Sequence, residues 1–299
     1  MPAFFREQIH TTLLMTLGAV GLSIGIVLYD IDSTPLSERF SGTPAFVVWV
    51  FLMATQAGVL AVVFLPLARA LRVLEKHFAR GKLEVGVAAA AFALLFSLPA
   101  AVPRTLYLSE GYWPLAYHST KVMVFAVVAF LTSLLAVVGL LLVRSATSSL
   151  FTDKDETDRD LVQYLGLRDY AENFLLILGG MIGIATISLG ALRKALLAVG
   201  YSGEAFPAVL VLAYGAYFTL LVALIYLPVF VALRETGLRL LNQIYPVLPV
   251  TSSTWTEQFT KRQALERALR LEATAEQSLR SGVAILAPLI GGGVSVLLG

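Results

Sequence analysis

The sequence predicts an all-α integral membrane protein, a polytopic bundle of six or seven transmembrane helices with short cytoplasmic amphipathic helices. Only 14% of its 299 residues are charged, whereas soluble domains contain about 25%. All of these charges lie outside seven gaps of 19 to 29 residues that contain no Asp, Glu, Lys or Arg. About 20 apolar residues in a helix cross a hydrocarbon core of about 30 Å, so each gap is about one crossing long.

The same composition excludes several classes of protein. A water-soluble globule and a disordered chain both need more charge, and a net charge of +2 does not provide the basic face of a nucleic-acid binder. The apolar runs are continuous and do not alternate, which argues against a β-barrel. The absence of cysteine excludes disulfides, thiolate metal sites and thiol catalysis. We therefore expect a lipid bilayer as the environment, no nucleic-acid partner and no cofactor.

The crossings follow from the gaps between charges. We predict transmembrane helices over residues 9–29, 45–67, 85–103, 122–143, 173–193 and 207–233. A seventh stretch, 282–298, carries Pro288 and the run Gly291–Gly293, which weaken a helix. This stretch is expected to cross, to re-enter or to pack on the bundle.

The gaps also divide the chain into five parts. These are a four-span half at 1–143, an acidic connector at 144–172, a two-span section at 173–233, a basic segment at 234–281 and a hydrophobic end at 282–299.

The distribution of lysine and arginine predicts the orientation. With a cytoplasmic N-terminus, 17 of the 22 basic residues fall on the inside and five on the outside, as the positive-inside rule requires. We expect the inner (plasma) membrane of a bacterium. Tyr107, Tyr112, Trp113 and Tyr117 then lie on the outer side, where aromatic rings favour the headgroup level.

Two cytoplasmic segments are long enough to bind a partner. The first contains Asp153 and Asp155 and leads into a helix that starts near Thr157. The second has a predicted helix over 255–271 with an apolar stripe. Basic residues are interleaved with that stripe at Arg262, Arg267 and Arg270. Three partners stay open for this helix: the anionic leaflet, the acidic segment of the same chain, or another protein.

Catalytic and ion-translocating groups are scarce. No charged residue or histidine lies at membrane depth, so proton pumps, voltage sensors and ion-coupled transporters lack their usual residues. Ser109, Glu110 and His118 share one outer segment, a weak pattern for a hydrolase. No metal-ligand motif or nucleophile motif is present.

Small and neutral polar residues mark the crossings instead. Glycine strips fall on the first crossing (Gly18, Gly21, Gly25) and the fifth (Gly179, Gly183, Gly190). Small residues allow helix backbones to approach closely in lipid, either within one chain or between subunits, and glycine can also provide a gating point. Polar groups in the membrane form either a weakly polar path or interhelical hydrogen bonds, through Gln56, Tyr214, Tyr217 and Tyr226.

Three functional hypotheses follow. The first is a non-enzymatic membrane module that assembles through its glycine-lined helices, as a homo-oligomer or a subunit of a membrane complex. It would dock a cytoplasmic protein partner and act as a pore, a membrane effector or a scaffold. The second is an uncoupled channel or carrier for a small neutral or lipid-like solute. The third is an enzyme that modifies lipids at the interface.

Overall fold

The computed structural model describes residues 3–31, 34–76, 82–101, 113–148, 150, 157–204, 206–247, 249, 254–271 and 275–297. Every regular element in these ranges is an α-helix, as the sequence predicted. The described helices are α1 (Ala3–Leu28), α2 (Pro35–Ser41), α3 (Pro44–Lys76), α4 (Lys82–Ala101), α5 (His118–Thr147), α6 (Thr157–Ala198), α7 (Ala208–Ile244), α8 (Trp255–Ala268) and α9 (Ala275–Leu297).

Five of these helices are long and apolar enough to cross a membrane, namely α1, α3, α5, α6 and α7. Helices α4 and α9 contain shorter apolar stretches, at Leu83–Leu98 and Gly282–Val294. Each crossing predicted from the sequence coincides with one of these seven helices. The chain therefore has the architecture of an integral membrane protein.

Short-range sequence signals explain several helix boundaries. Thr34 and Ser37 form a reciprocal capping box at the start of α2, and Pro35 occupies its first position. Helix α6 begins at Thr157, where the sequence predicted a helix start. Helix α8 covers most of the predicted 255–271 helix but ends at Ala268.

Helix α6 is the centre of the bundle and packs against α3, α5, α7 and α9. Helix α1 packs on α3, and α4 packs mainly on α5. The seventh apolar stretch forms a continuous helix, α9, which lies against both α6 and α7. Pro288 and the glycines do not interrupt it, and Gly291 and Gly292 lie in close contact with α6 and α7.

Neighbouring contacts also give the direction of α9. Ala284 lies beside Gly179, and Gly291 lies beside Gly183, so α9 and α6 run parallel. Helix α7 runs antiparallel to α9, because Gly215 contacts Pro288 whereas Val211 contacts Gly292. At Gly292, α9 has thus reached the level of the first turn of α7.

Two apolar clusters form the core. The larger contains residues of α3, α4, α5, α6, α7 and α9, among them Leu140, Phe174 and Leu178. The smaller lies at the opposite end of the bundle from α8 and is built around Trp49 and Leu196.

Candidate functional site

The glycines of α6 and α7 form a close contact with α9. A Cβ at Gly179 would overlap with the carbonyl oxygen of Ala284, and a Cβ at Gly183 would lie 3.2 Å from the Cβ of Ala287. On the other side, a Cβ at Gly215 would lie 2.5 Å from the carbonyl oxygen of Pro288. These absent side chains let three backbones approach to the separation that small-residue interfaces use in lipid.

Pro288 explains why the carbonyl of Ala284 can face Gly179. Proline has no N–H, so the residue four positions earlier loses its usual helical hydrogen-bond donor. The next amide also forms an interhelical bond, because Leu289 N–H donates to Thr219 Oγ1 of α7 at 3.2 Å. Pro288 and the glycines at 291 and 292, which made the prediction for α9 uncertain, are therefore the residues through which α9 packs between α6 and α7.

Gly190, the third glycine of the predicted strip on α6, is buried. Gly180, next to the strip, is exposed, and no atom lies within 4 Å of a Cβ placed there. Helix α6 therefore buries one glycine-lined face and leaves a neighbouring glycine open.

The glycine strip of α1 has a different environment. Gly18, Gly21 and Gly25 are all exposed, and no atom lies within 4 Å of a Cβ placed at any of them. Helix α1 contacts α3 through Thr16 and Val20, which lie beside Gly58. At about 100° per residue, the glycine strip points away from that contact.

The proposed polar path is divided between helices. Gln56 is 2% exposed on α3, and its Nε2 donates to Met53 Sδ at 3.9 Å. Tyr217 donates to the carbonyl of Leu95 at 2.5 Å, which links α7 to α4. Tyr214 and Tyr226 lie on α7 as well, where Tyr214 packs against the ring of Phe218. The main neighbours of α3 are α1, α5 and α6, whereas those of α7 are α5, α6 and α9.

The basic residues near α8 bind groups of their own chain. Arg262 donates to the carbonyl of Tyr245 at 2.5 Å and to Asn242 Oδ1 at 2.8 Å, at the end of α7. Arg267 is exposed at the end of α8. Asp153 and Asp155 lie outside the described residues. The acidic partners that the structure gives to Arg270 are Asp169 and Glu172 of α6.

Arg270 combines this ion pairing with an unusual backbone conformation. Its φ of 53° is in the left-handed region, and it follows the C-cap Leu269. Its amide donates to the carbonyl of Arg267 at 2.9 Å, and the amide of Leu271 donates to Glu266 at 3.0 Å. This is a Schellman motif, in which glycine usually occupies the left-handed position. Here the arginine reaches Asp169 Oδ1 at 3.1 Å and both oxygens of Glu172 at 3.2 Å.

The same loop is also fixed through its backbone. Arg168 donates to the carbonyl of Leu269 at 2.9 Å and to the hydroxyl of Tyr164 at 3.2 Å. Tyr164 and Leu269 are both fully buried. The end of α8 is therefore attached to α6, while α8 itself has no buried residue.

At the other end of the bundle, three rings form a stack. His118 lies between Trp113, with ring centroids 4.1 Å apart, and Trp49, at 5.7 Å. The sequence placed Trp113 and His118 in one outer segment but gave no sign of Trp49, which comes from α3. Ser109 and Glu110, the two other members of the weak hydrolase pattern, lie outside the described residues. Comparison with protein-family models, curated proteins and solved structures finds no match to this chain.

Proposed function

We propose that this chain is a non-enzymatic integral membrane module that assembles with further copies through α1 and acts as a scaffold. In this proposal it presents α8 to a cytoplasmic protein partner. Its seven apolar helices all cross the inner membrane of a bacterium, with the N-terminus in the cytoplasm. The parallel direction of α6 and α9 supports this topology. If α6, α7 and α9 cross the membrane in succession, the chain reverses direction twice, and α6 and α9 must run the same way.

The contrast between the two glycine strips carries the assembly proposal. Helix α9 lies against Gly179 and Gly183 of α6 and Gly215 of α7, whereas no atom of the described residues lies within 4 Å of a Cβ placed on the strip of α1. Glycine costs about 1 kcal/mol relative to alanine inside a helix, and close helix contact is the usual compensation in lipid. An equivalent helix from a second copy would supply that contact.

The attachment of α8 supports the docking part of the proposal. The helix is connected to the bundle by Arg262, near its middle, and by the Leu269–Arg270 corner that follows its last residue. One face of α8 is open to solvent and carries Thr256, Glu257, Thr260, Lys261, Ala264 and Arg267. A rigidly held polar helix face of this kind suits a protein partner, because little ordering entropy is lost on binding.

Disulfide cross-linking tests the assembly directly, because the chain has no native cysteine. Single Gly21→Cys and Gly25→Cys variants in membranes are expected to give a covalent dimer when an oxidant is added. In a two-fold symmetric contact, equivalent residues of two copies meet near the axis.

The matched control is Gly180→Cys on α6, which is also exposed with no atom within 4 Å. It is expected to stay monomeric, since the proposed contact does not include it. Equal cross-linking at positions 180 and 21, or no cross-linking at either α1 position, would contradict the assembly proposal.

A further inference from the structure

Two rings of the aromatic stack and a neighbouring lysine form a group of buried hydrogen-bond donors, at the end of the bundle opposite α8. Lys121 is 4% exposed, His118 is 3% exposed and Trp49 is 1% exposed. His118 and Lys121 are one turn apart at the start of α5, and Trp49 is on α3. Three nitrogen-bearing side chains from two helices are thus held out of solvent in one place.

Lys121 carries a charge that its neighbours do not fully match. Its ammonium donates to the carbonyl of Tyr29 at 2.5 Å, a neutral acceptor at the end of α1. Asp30 follows in the chain and attracts the ammonium through space. An ammonium has three N–H donors, and a buried charge is costly unless it is paired and hydrogen-bonded.

The other two side chains have no acceptor at all in the described part of the chain. Both ring nitrogens of His118 and the indole Nε1 of Trp49 are buried without a hydrogen-bond partner there. A neutral imidazole has one N–H, and an indole is a donor only. Leaving such buried groups unpaired destabilises the protein, because they lose their hydrogen bonds to water without gaining others. Among the described residues, the group therefore has more donors than acceptors.

From this imbalance we propose that Trp49, His118 and Lys121 form a binding site for a phosphate group, either the phosphodiester of a lipid or a free phosphate ion. A phosphate oxygen accepts several hydrogen bonds and would bond the Lys121 ammonium as a charged acceptor, whereas the acceptor it now bonds is the neutral carbonyl of Tyr29. The site is at the first turn of α5, where the helix dipole also favours an anion. Tyr117, which precedes α5, provides no side-chain cap that would occupy this position.

Binding requires the stack to open. The unpaired nitrogens have no solvent-accessible surface in the closed arrangement. Tyr29 and Tyr117 are exposed, with ring centroids 6.4 Å apart. Lys121 is bonded to the backbone of both, because its ammonium donates to the carbonyl of Tyr29 and its amide donates to the carbonyl of Tyr117, one turn earlier. The ligand enters between these two tyrosines and separates Trp113 from His118.

Tryptophan fluorescence tests this site, because Trp49 and Trp113 are two of only three tryptophans in the chain. The Trp255→Phe variant leaves these two as the reporters. In a phosphate-free maltoside detergent, it is titrated in one arm with inorganic phosphate and in another with dihexanoylphosphatidylglycerol. A saturable change in emission with phosphate identifies a site for the free ion, and a change with the lipid alone identifies a lipid site. No saturable change in either arm would overturn the proposal.

Two variants in the same background locate the site. Lys121→Met is expected to weaken binding about 10- to 100-fold, because a hydrogen bond to a charged group is worth about 1.5–3 kcal/mol. The matched control, Lys194→Met, removes an exposed lysine near the last turn of α6, at the same end of the bundle. It is expected to leave the affinity unchanged. Equal weakening in both variants would overturn the proposal.

Asp30→Asn gives an independent check that does not remove a donor. Asp30 has a φ of 51°, a conformation that asparagine also tolerates, so the backbone is expected to be preserved. Removing the carboxylate removes its repulsion of a phosphate. Binding is expected to become about 2- to 10-fold tighter, at the effective dielectric near a protein surface, and unchanged or weaker binding would contradict a phosphate site.

Discussion

The hydroxyl of Tyr164 in α6 occupies the space that a side chain at Gly237 in α7 would need. A Cβ at Gly237 would lie 2.5 Å from that oxygen and 2.7 Å from Leu271 Cδ2. Tyr164 also accepts a hydrogen bond from Arg168 and donates to the carbonyl of Leu269. One glycine therefore lets α6, α7 and the loop after α8 meet at a single point.

Gly237→Ala is expected to lower the free energy of unfolding by about 1–3 kcal/mol, the usual cost of overpacking. Tyr164→Phe is expected to cost about 1 kcal/mol through its lost hydrogen bonds. Because the phenylalanine leaves room for the new methyl group, the double variant should lose at least about 0.5 kcal/mol less than the sum. Unfolding in mixed micelles measures all three variants, and strict additivity would show that the two residues do not share this space.

Gly179→Ala is expected to be strongly destabilising, by about 1–3 kcal/mol, because the methyl group would overlap with the carbonyl of Ala284. Backbone cannot move aside as a flexible side chain does. Gly180→Ala is the matched control, since nothing lies within 4 Å of its Cβ, and it is expected to be neutral or slightly stabilising. Thermal denaturation in detergent compares the two, and equal midpoints would contradict the close packing of α9 on α6.

Thr219→Val removes the acceptor for the amide of Leu289 while preserving the shape of the side chain. The loss is expected to be about 0.5–1.5 kcal/mol, because the amide loses its hydrogen bond to Thr219 Oγ1. In Thr55→Val, the lost bond joins Thr55 to Phe51 on the same helix, and the expected change is smaller. The unfolding free energies of the two variants check this difference; a larger loss at Thr55 would argue against the contact between α7 and α9.

Arg270 tests how the loop balances backbone strain against ion pairing. Arg270→Ala removes the contacts with Asp169 and Glu172 and keeps a non-glycine residue at a φ of 53°, so it is expected to destabilise by about 1 kcal/mol. Arg270→Gly loses the same contacts but relieves a strain of about 1–2 kcal/mol. The glycine variant should therefore be the more stable of the two by about that amount. An alanine variant as stable as the glycine variant would show that the left-handed conformation is not kept.

Much of the architecture follows from the sequence because lipid imposes a long-range rule on composition. Each uncharged gap corresponds to a helix, even where proline interrupts the pattern, as Pro66 does in α3 and Pro228 does in α7. The seventh segment could not be assigned, since Pro288 and its neighbouring glycines weaken a helix in isolation. In the bundle, Gly291 and Gly292 allow α9 to approach the backbones of α6 and α7, a contact that the local sequence does not reveal.

The candidate sites were less predictable, because their partners are distant in the chain. The two glycine strips look alike in sequence, yet α9 fills one and nothing in the described chain covers the other. Arg270 pairs with acids at 169 and 172, although the acidic run at 153–160 has the stronger local signal. Trp49 and His118 meet across helices α3 and α5, and no local pattern encodes such a contact.

Counting copies in the membrane tests the central claim, that this protein assembles through α1. A single dye is attached at Ala264→Cys, on the exposed face of α8, and photobleaching steps are counted in dilute lipid vesicles. More than one step per particle is expected, falling to one when Gly21→Leu blocks close approach of the helices. If the protein with its native α1 bleaches in a single step, as the Gly21→Leu variant does at the same protein density, the account is contradicted.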